Sequence, residues 1–120
     1  MGNGVSEGRR MSHELRHRNG TAVVTLRGDV DLEHSPVARE LLLSCVRSGR
    51  HLAVDLSGVE YIDSSGIASL VEAFQEARKR GSRFALAAVS PAALRVFELA
   101  RLDRVFVIHA TLEEALGNDA

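Results

Sequence analysis

Two hydrophobic periods run through this chain, and the places where one gives way to the other mark its elements. Residues 12 to 18 are polar with one apolar point, Leu15, which fits a weak extended segment. Asn19-Gly20 follows, a dipeptide whose two positions accept positive φ, and then the β-branched run Thr21-Ala22-Val23-Val24-Thr25-Leu26. Together they predict an antiparallel hairpin. Gly28-Asp29-Val30-Asp31 is read as the loop that ends the second strand. Ser35-Pro36 then opens a helix, Ser35 as N-cap and proline in the first helical position. Ala38, Leu41, Leu42 and Cys45 supply its i, i+3, i+4, i+7 stripe, and it stops near Gly49.

The second half repeats a strand–helix alternation. Leu52-Ala53-Val54-Asp55-Leu56 is a short apolar run suited to a buried central strand. A loop from Ser57 to Asp63 leads into a helix from about Ser64 to Arg80, with Ile67, Leu70, Val71, Phe74 and Ala77 on its apolar side. Arg78, Lys79 and Arg80 suit the negative end of the helix dipole, and Gly81 terminates it. Phe84 to Val89 reads as another buried strand, and Ser90-Pro91 as a second cap-plus-proline start, with Leu94, Phe97 and Ala100 on the helical face. Val105-Phe106-Val107-Ile108 reads as the last strand. Thr111 and Glu114 fit a capping box that opens a short final helix ending near Gly117. The order β-β-α-β-α-β-α-β-α predicts an α/β domain. It has a mixed sheet, an N-terminal hairpin plus parallel strands with helical crossovers, packed against about four helices. Residues 1–11 are expected to be a disordered lead-in, 12–117 the domain, and 118–120 a tail.

Composition narrows the function classes. A chain of 120 residues, 45% apolar, closes one core. Fifteen basic residues against sixteen acidic leave a net charge of -1, so no basic nucleic-acid footprint appears. The absence of Trp argues against a base-stacking platform. No run approaches the length of a membrane span, and the polar N-terminus does not read as a secretory signal. Cys45 is the one cysteine; it lies in an apolar helical stretch and reads as a small core residue. A single thiol fits a reducing compartment, the cytoplasm.

Candidate chemistry is sparse. There is no Gly-rich phosphate loop and no nucleophile elbow around Ser64 and Ser65. The five histidines, His13, His17, His34, His51 and His109, show no metal-ligand spacing. Neither metal nor cofactor is expected, nor is enzyme activity. Asp29 and Asp31 are carboxylates two apart at a strand end, a pattern common in turns. Tyr61-Ile62-Asp63-Ser64-Ser65-Gly66 stands out, because there the chain leaves a buried strand and enters an amphipathic helix through Asp-Ser-Ser-Gly. Read structurally, Asp63 or Ser64 is an N-cap and Gly66 permits close packing.

The stretch from Val54 to Ile67, VDLSGVEYIDSSGI, resembles the signature of STAS domains, and more narrowly that of stand-alone bacterial anti-sigma factor antagonists. Gly28-Asp29-Val30-Asp31 resembles the family's Gly-Glu-Leu-Asp turn. Ser90-Pro91 with Val96-Phe97 resembles its third-helix entry, and Leu102–Val107 with Thr111–Leu116 its C-terminal strand and helix. The resemblance implies that Ser64 is a phosphorylated serine, and that Asp29, Asp31, Asp63, Ser64, Ser65, Gly66 and Ser90 contribute to a partner surface. It implies two partners, an anti-sigma serine kinase with a histidine-kinase-like ATPase fold and a metal-dependent serine phosphatase. The dephosphorylated protein would bind the kinase and free a sigma factor, and phosphorylation would weaken that complex. Neither nucleic acid nor membrane is implied, and the chain would be a monomer or weak homodimer. The same family also supplies subunits of lipid-transport ABC complexes and stressosome-type scaffolds, which is the alternative assembly.

At a helix N-terminus a phosphate meets free N–H groups and the positive end of the dipole, so modification is expected to leave the helix intact. The change is then one of surface charge, about -1.5 to -2. Opposite a partner carboxylate at about 4 Å, each like-charge pair costs roughly 4 kcal/mol at an effective dielectric near 20.

Overall fold

The computed structural model describes residues 10–117. The expectations for residues 1–9 and for the 118–120 tail lie outside the described residues; Met11 packs, partly buried, against the core. The chain forms β1 (Ser12–Arg18), β2 (Thr21–Val30), α1 (Ser35–Arg47), β3 (His51–Ile62), α2 (Ser64–Lys79), β4 (Phe84–Ala87), α3 (Pro91–Leu99), a 3-10 turn (Leu102–Arg104), β5 (Ile108–His109) and α4 (Leu112–Ala115). The sheet order is β1-β2-β3-β4-β5. β1 runs antiparallel to β2, and every later pairing is parallel. This is the mixed α/β sheet with four helices that the element order predicts.

Alternate residues of each strand face one side of a sheet. Ala22, Val24 and Leu26 of β2 and Leu52, Val54 and Leu56 of β3 enter the main core, where they meet Leu42 and Val46 of α1 and Leu70 and Ala73 of α2. Val23, Ala53, Ala85 and Ala87 are buried as well, so the central strands are covered on both faces, as parallel strands require. All four phenylalanines converge at one side of the core. Phe106 stands 5.5 Å from Phe74, 6.0 Å from Phe84 and 5.8 Å from Phe97, centroid to centroid. The Phe74 contacts are edge-to-face, the arrangement favoured by the ring quadrupole.

Five boundaries differ from the sequence pattern, each for a tertiary reason. β2 and β3 do not stop at Leu26 and Leu56. They continue side by side, with Arg27 paired to Gly58, Gly28 to Val59, Asp29 to Tyr61 and Val30 to Ile62. Two register shifts absorb the polar, Gly-containing stretch that reads as loop. Ser35 is the first residue of α1 and His34 its cap, because the Asp31 carbonyl already accepts from the N–H groups of His34 and Ser35. β4 ends at Ala87, where Ala88 adopts φ 52° and turns the chain. Val105 and Phe106 are not strand: both N–H groups donate back to the Leu102 carbonyl, leaving Ile108–His109 to pair with Leu86–Ala87. The capping box of α4 forms one residue wide. Glu114 N–H donates to Thr111 Oγ1, while Glu114 Oε1 accepts from Ala110 N–H.

Candidate functional site

Because β2 and β3 are parallel, their C-terminal ends deliver Asp31 and Asp63 to the same edge of the sheet. There the chain must leave two adjacent strands and enter two helices, and Asp63 joins the departures. Its Oδ1 accepts from the N–H groups of Ser65, at 2.9 Å, and Gly66, at 3.2 Å, capping α2. Its Oδ2 accepts from Leu32 N–H, at 3.2 Å, in the loop between β2 and α1. One carboxylate thus ties the start of one helix to the approach to the other.

Gly66 brings the two still closer. A Cβ at this position would run into the Val30 carbonyl oxygen and lie 2.7 Å from Ile62 Cγ1 and 2.9 Å from Val30 Cγ1. The first turn of α2 therefore rests on the backbone of β2, and the requirement for glycine is one of space. Asp63 N–H also points to the Val30 carbonyl, at 3.4 Å.

On this base sits Ser64, the first residue of α2, exposed. Among the described residues no hydrogen bond engages its hydroxyl. Ser65 is half-buried and faces an open groove of about 380 Å³ between α1 and α2, lined also by Ser35, Arg39 and Glu72. Arg39 crosses that groove and donates through Nε and Nη2 to the two Glu72 oxygens, both at 2.7 Å. This bidentate pair draws the Glu72 carboxyl below its ordinary value. Ser69 is buried and donates to the carbonyls of Ser35 and Ser65. Of the three serines of α2, Ser64 is exposed, Ser65 half-buried and Ser69 buried.

Asp31 lies beside this corner and organises the start of α1. Its Oδ1 accepts from His34 N–H at 3.0 Å and stands 2.7 Å from His34 Nδ1. Partial burial pushes its carboxyl up, but the hydrogen bonds and charge of His34 outweigh that and hold it below the ordinary value. Asp29, expected in a loop, is instead in β2, paired with Tyr61 and half-buried.

The STAS domain model matches residues 12–115. The chain belongs to the STAS domain family. Among its relatives, the anti-sigma-B factor antagonist of Listeria monocytogenes is 31% identical over 112 residues, 92% of this chain and 98% of the relative. That of Bacillus subtilis is 28% identical over 100 residues, 83% of this chain and 92% of the relative. The crystal structure of an anti-sigma factor antagonist from Mycobacterium paratuberculosis superposes with a TM-score of 0.85 at 27% identity, covering 95% of this chain and 97% of that one.

In this STAS domain the residues singled out from sequence do not all share one surface. Asp31, Asp63, Ser64, Ser65 and Gly66 come together at the ends of β2 and β3, with Asp29 at the rim. Ser90 does not join them. It is buried, its hydroxyl donates to the Val59 carbonyl at 2.7 Å and accepts from Ala93 N–H at 3.2 Å, so it stitches the start of α3 to β3. Two exposed apolar residues at the corner escaped sequence reasoning: Leu32, 73% exposed, and Tyr61, 45% exposed. Leu32 carries a signal, an isolated apolar residue inside the polar stretch Asp31 to His34. Cys45 is a core residue: burial pushes its thiol up, against the pull of the Arg50 charge. Among the described residues no group of side chains could hold a metal ion, and no helix is long and apolar enough to cross a membrane.

Proposed function

We propose that this STAS domain is an anti-sigma factor antagonist of the cytoplasm, a binding switch rather than an enzyme, controlled by phosphorylation of Ser64. In its dephosphorylated state it binds an anti-sigma serine kinase of the histidine-kinase-like ATPase type and so frees a sigma factor. A metal-dependent serine phosphatase restores that state. The observation that carries the reading is the exposed Ser64 hydroxyl on the first turn of α2, above a corner where the Ser65 and Gly66 N–H groups are already committed to Asp63. The names of the relatives, which are anti-sigma factor antagonists, agree with it.

The geometry supports a change of surface rather than of fold. The N–H groups of Ser65 and Gly66, expected from the sequence to be free for a phosphate, are occupied by Asp63 Oδ1, so a phosphate on Ser64 is directed outward from the corner. It adds about -1.5 to -2 of charge. A kinase that accepts this hydroxyl must hold it in line with the terminal phosphate of its nucleotide. Once Ser64 carries the phosphoryl group, rebinding a nucleotide-loaded kinase sets two phosphates at one place. Unit charges of like sign at about 4 Å repel by roughly 4 kcal/mol at an effective dielectric near 20, almost three decades of affinity. Leu32 and Tyr61 give the same face an apolar component that phosphorylation leaves unchanged.

The test is a pull-down with wild type and Ser64→Ala, with mass spectrometry of the captured proteins and of the phosphorylated peptide. Wild type is expected to capture an ATPase that phosphorylates Ser64, and Ser64→Ala to retain it in the presence of ATP. Phosphate found on Ser65 or Ser69 instead, or equal affinity before and after phosphorylation, would overturn the proposal.

A further inference from the structure

The sheet has two edges of different character. β5 presents two residues, whereas β1 presents seven, all of them exposed, and among the described residues β1 is hydrogen-bonded on one side alone, to β2. A strand of that length with an open row of N–H and C=O groups is a template for another strand. We propose that β1 pairs antiparallel with β1 of a second copy of this chain, about a two-fold axis through Leu15, so that the two five-stranded sheets become one.

The side chains of β1 select this register. Antiparallel neighbours related by a two-fold axis show side chains of the same face to each other, so the axis must pass through a residue facing its own copy. Centring on Glu14 sets Glu14 against Glu14, and centring on Arg16 sets Arg16 against Arg16; like charges directly opposite are destabilising. Centring on Leu15 sets Leu15 against Leu15 and Glu14 against Arg16 on both sides of the axis, with His13 opposite His17 and Ser12 opposite Arg18. This register also pairs all seven residues of the strand.

Glu14 is already held near the centre of the edge by its own chain, 3.2 Å from Arg27 Nη2 and 3.9 Å from Arg16 Nε. Leu15, 41% exposed, supplies the apolar contact on the axis. Each copy has one such edge, so the contact is self-complementary and closes at two chains. An interface made of one strand edge buries less than about 1,000 Å², which places it among weak, reversible associations. β1 lies beside β2 and contributes nothing to the Ser64 corner, so the inference stands or falls apart from the kinase reading.

Sedimentation velocity from micromolar to millimolar chain tests it. Wild type is expected to pass reversibly from monomer to dimer across that range, while Arg16→Glu and Glu14→Arg, which set like charges against each other, remain monomeric. The double exchange Glu14→Arg with Arg16→Glu is expected to restore the dimer. Leu15→Cys gives a second readout, because directly opposed antiparallel residues lie within the Cα separation a disulfide needs. Mild oxidation is expected to link two chains through the introduced thiols, while the same treatment of Ser44→Cys, on the exposed side of α1, is not. A wild type that stays monomeric at millimolar concentration would overturn the proposal. So would a dimer indifferent to both single charge reversals, or one that the double exchange fails to restore.

Discussion

The corner at the ends of β2 and β3 is held by backbone, whereas the far side of the core, around Phe106, is held by side chains. At the corner, two strands exit together, a glycine lets α2 rest on the Val30 carbonyl, and one aspartate occupies three N–H groups. Around Phe106 the last strand shrinks to two residues, and three other rings do what strand pairing does elsewhere. The contrast shows how one small domain separates its tasks. A corner that must hold the starts of two helices in one position is built from short, directional contacts, which tolerate little displacement. A region whose task is cohesion is built from aromatic burial, which is large but non-directional.

Replacing Phe106 with Ala puts the greatest load on this contrast. Removing a buried ring that three others touch is expected to cost about 3–5 kcal/mol in urea unfolding. What remains folded should still accept phosphate on Ser64, since Phe106 supports cohesion and not the corner. A loss of phosphorylation beyond the loss of folded protein would show that the two regions are coupled.

Gly66→Ala is expected to cost less stability, about 1–3 kcal/mol by overpacking, and to abolish partner binding in the protein that stays folded. The added Cβ has to push the first turn of α2 off the Val30 carbonyl and so moves Ser64. Full binding by this variant, measured by calorimetry, would mean the corner is more compliant than its contacts indicate.

Asp63→Ala removes the cap of α2 and is expected to cost about 0.5–2 kcal/mol. Asp63→Asn sharpens the reading: its amide oxygen can still cap α2, but its NH₂ cannot accept from Leu32 N–H. Faster amide exchange at Leu32 with an unchanged α2 start is the expected result for Asn, and loosening of both segments for Ala.

Acid should produce the smallest effect. The carboxyls of Glu72, paired with Arg39, and of Asp31, held by His34, titrate below their ordinary range in the folded chain. Groups depressed on folding contribute stability above their unfolded values and lose it as pH falls through the folded ones. Stability is therefore expected to decline modestly below the ordinary carboxylate range. In Arg39→Ala the part due to Glu72 should shrink, with the Arg47 charge left as its remaining support, which chemical denaturation at a series of pH values would measure.

Legibility from sequence followed the same division. The helices α2, α3 and α4 were readable to within a residue or two, because caps and apolar stripes are local: Asp63, Ser90 and Thr111 all cap as their residue types indicate. The lengths of β2 and β3 were not, since Gly28-Asp29 and Ser57-Gly58 carry turn chemistry, and only each other's backbone draws them into the sheet. Val105 and Phe106 failed in the opposite sense. Their residue types favour a strand, but the Leu102 carbonyl captures their N–H groups.

For the site, the sequence determined that Ser64 opens a helix behind an aspartate and ahead of a glycine, because capping and close packing depend on residues adjacent in the chain. The tertiary structure decided the rest. It set Asp31 and Leu32 beside Asp63, buried Ser69 and left Ser64 open. It also turned Ser90 from a surface residue into an internal tie to β3. Those outcomes depend on which strands lie side by side and which backbone groups they leave to be satisfied, and that is settled by the packed sheet as a whole.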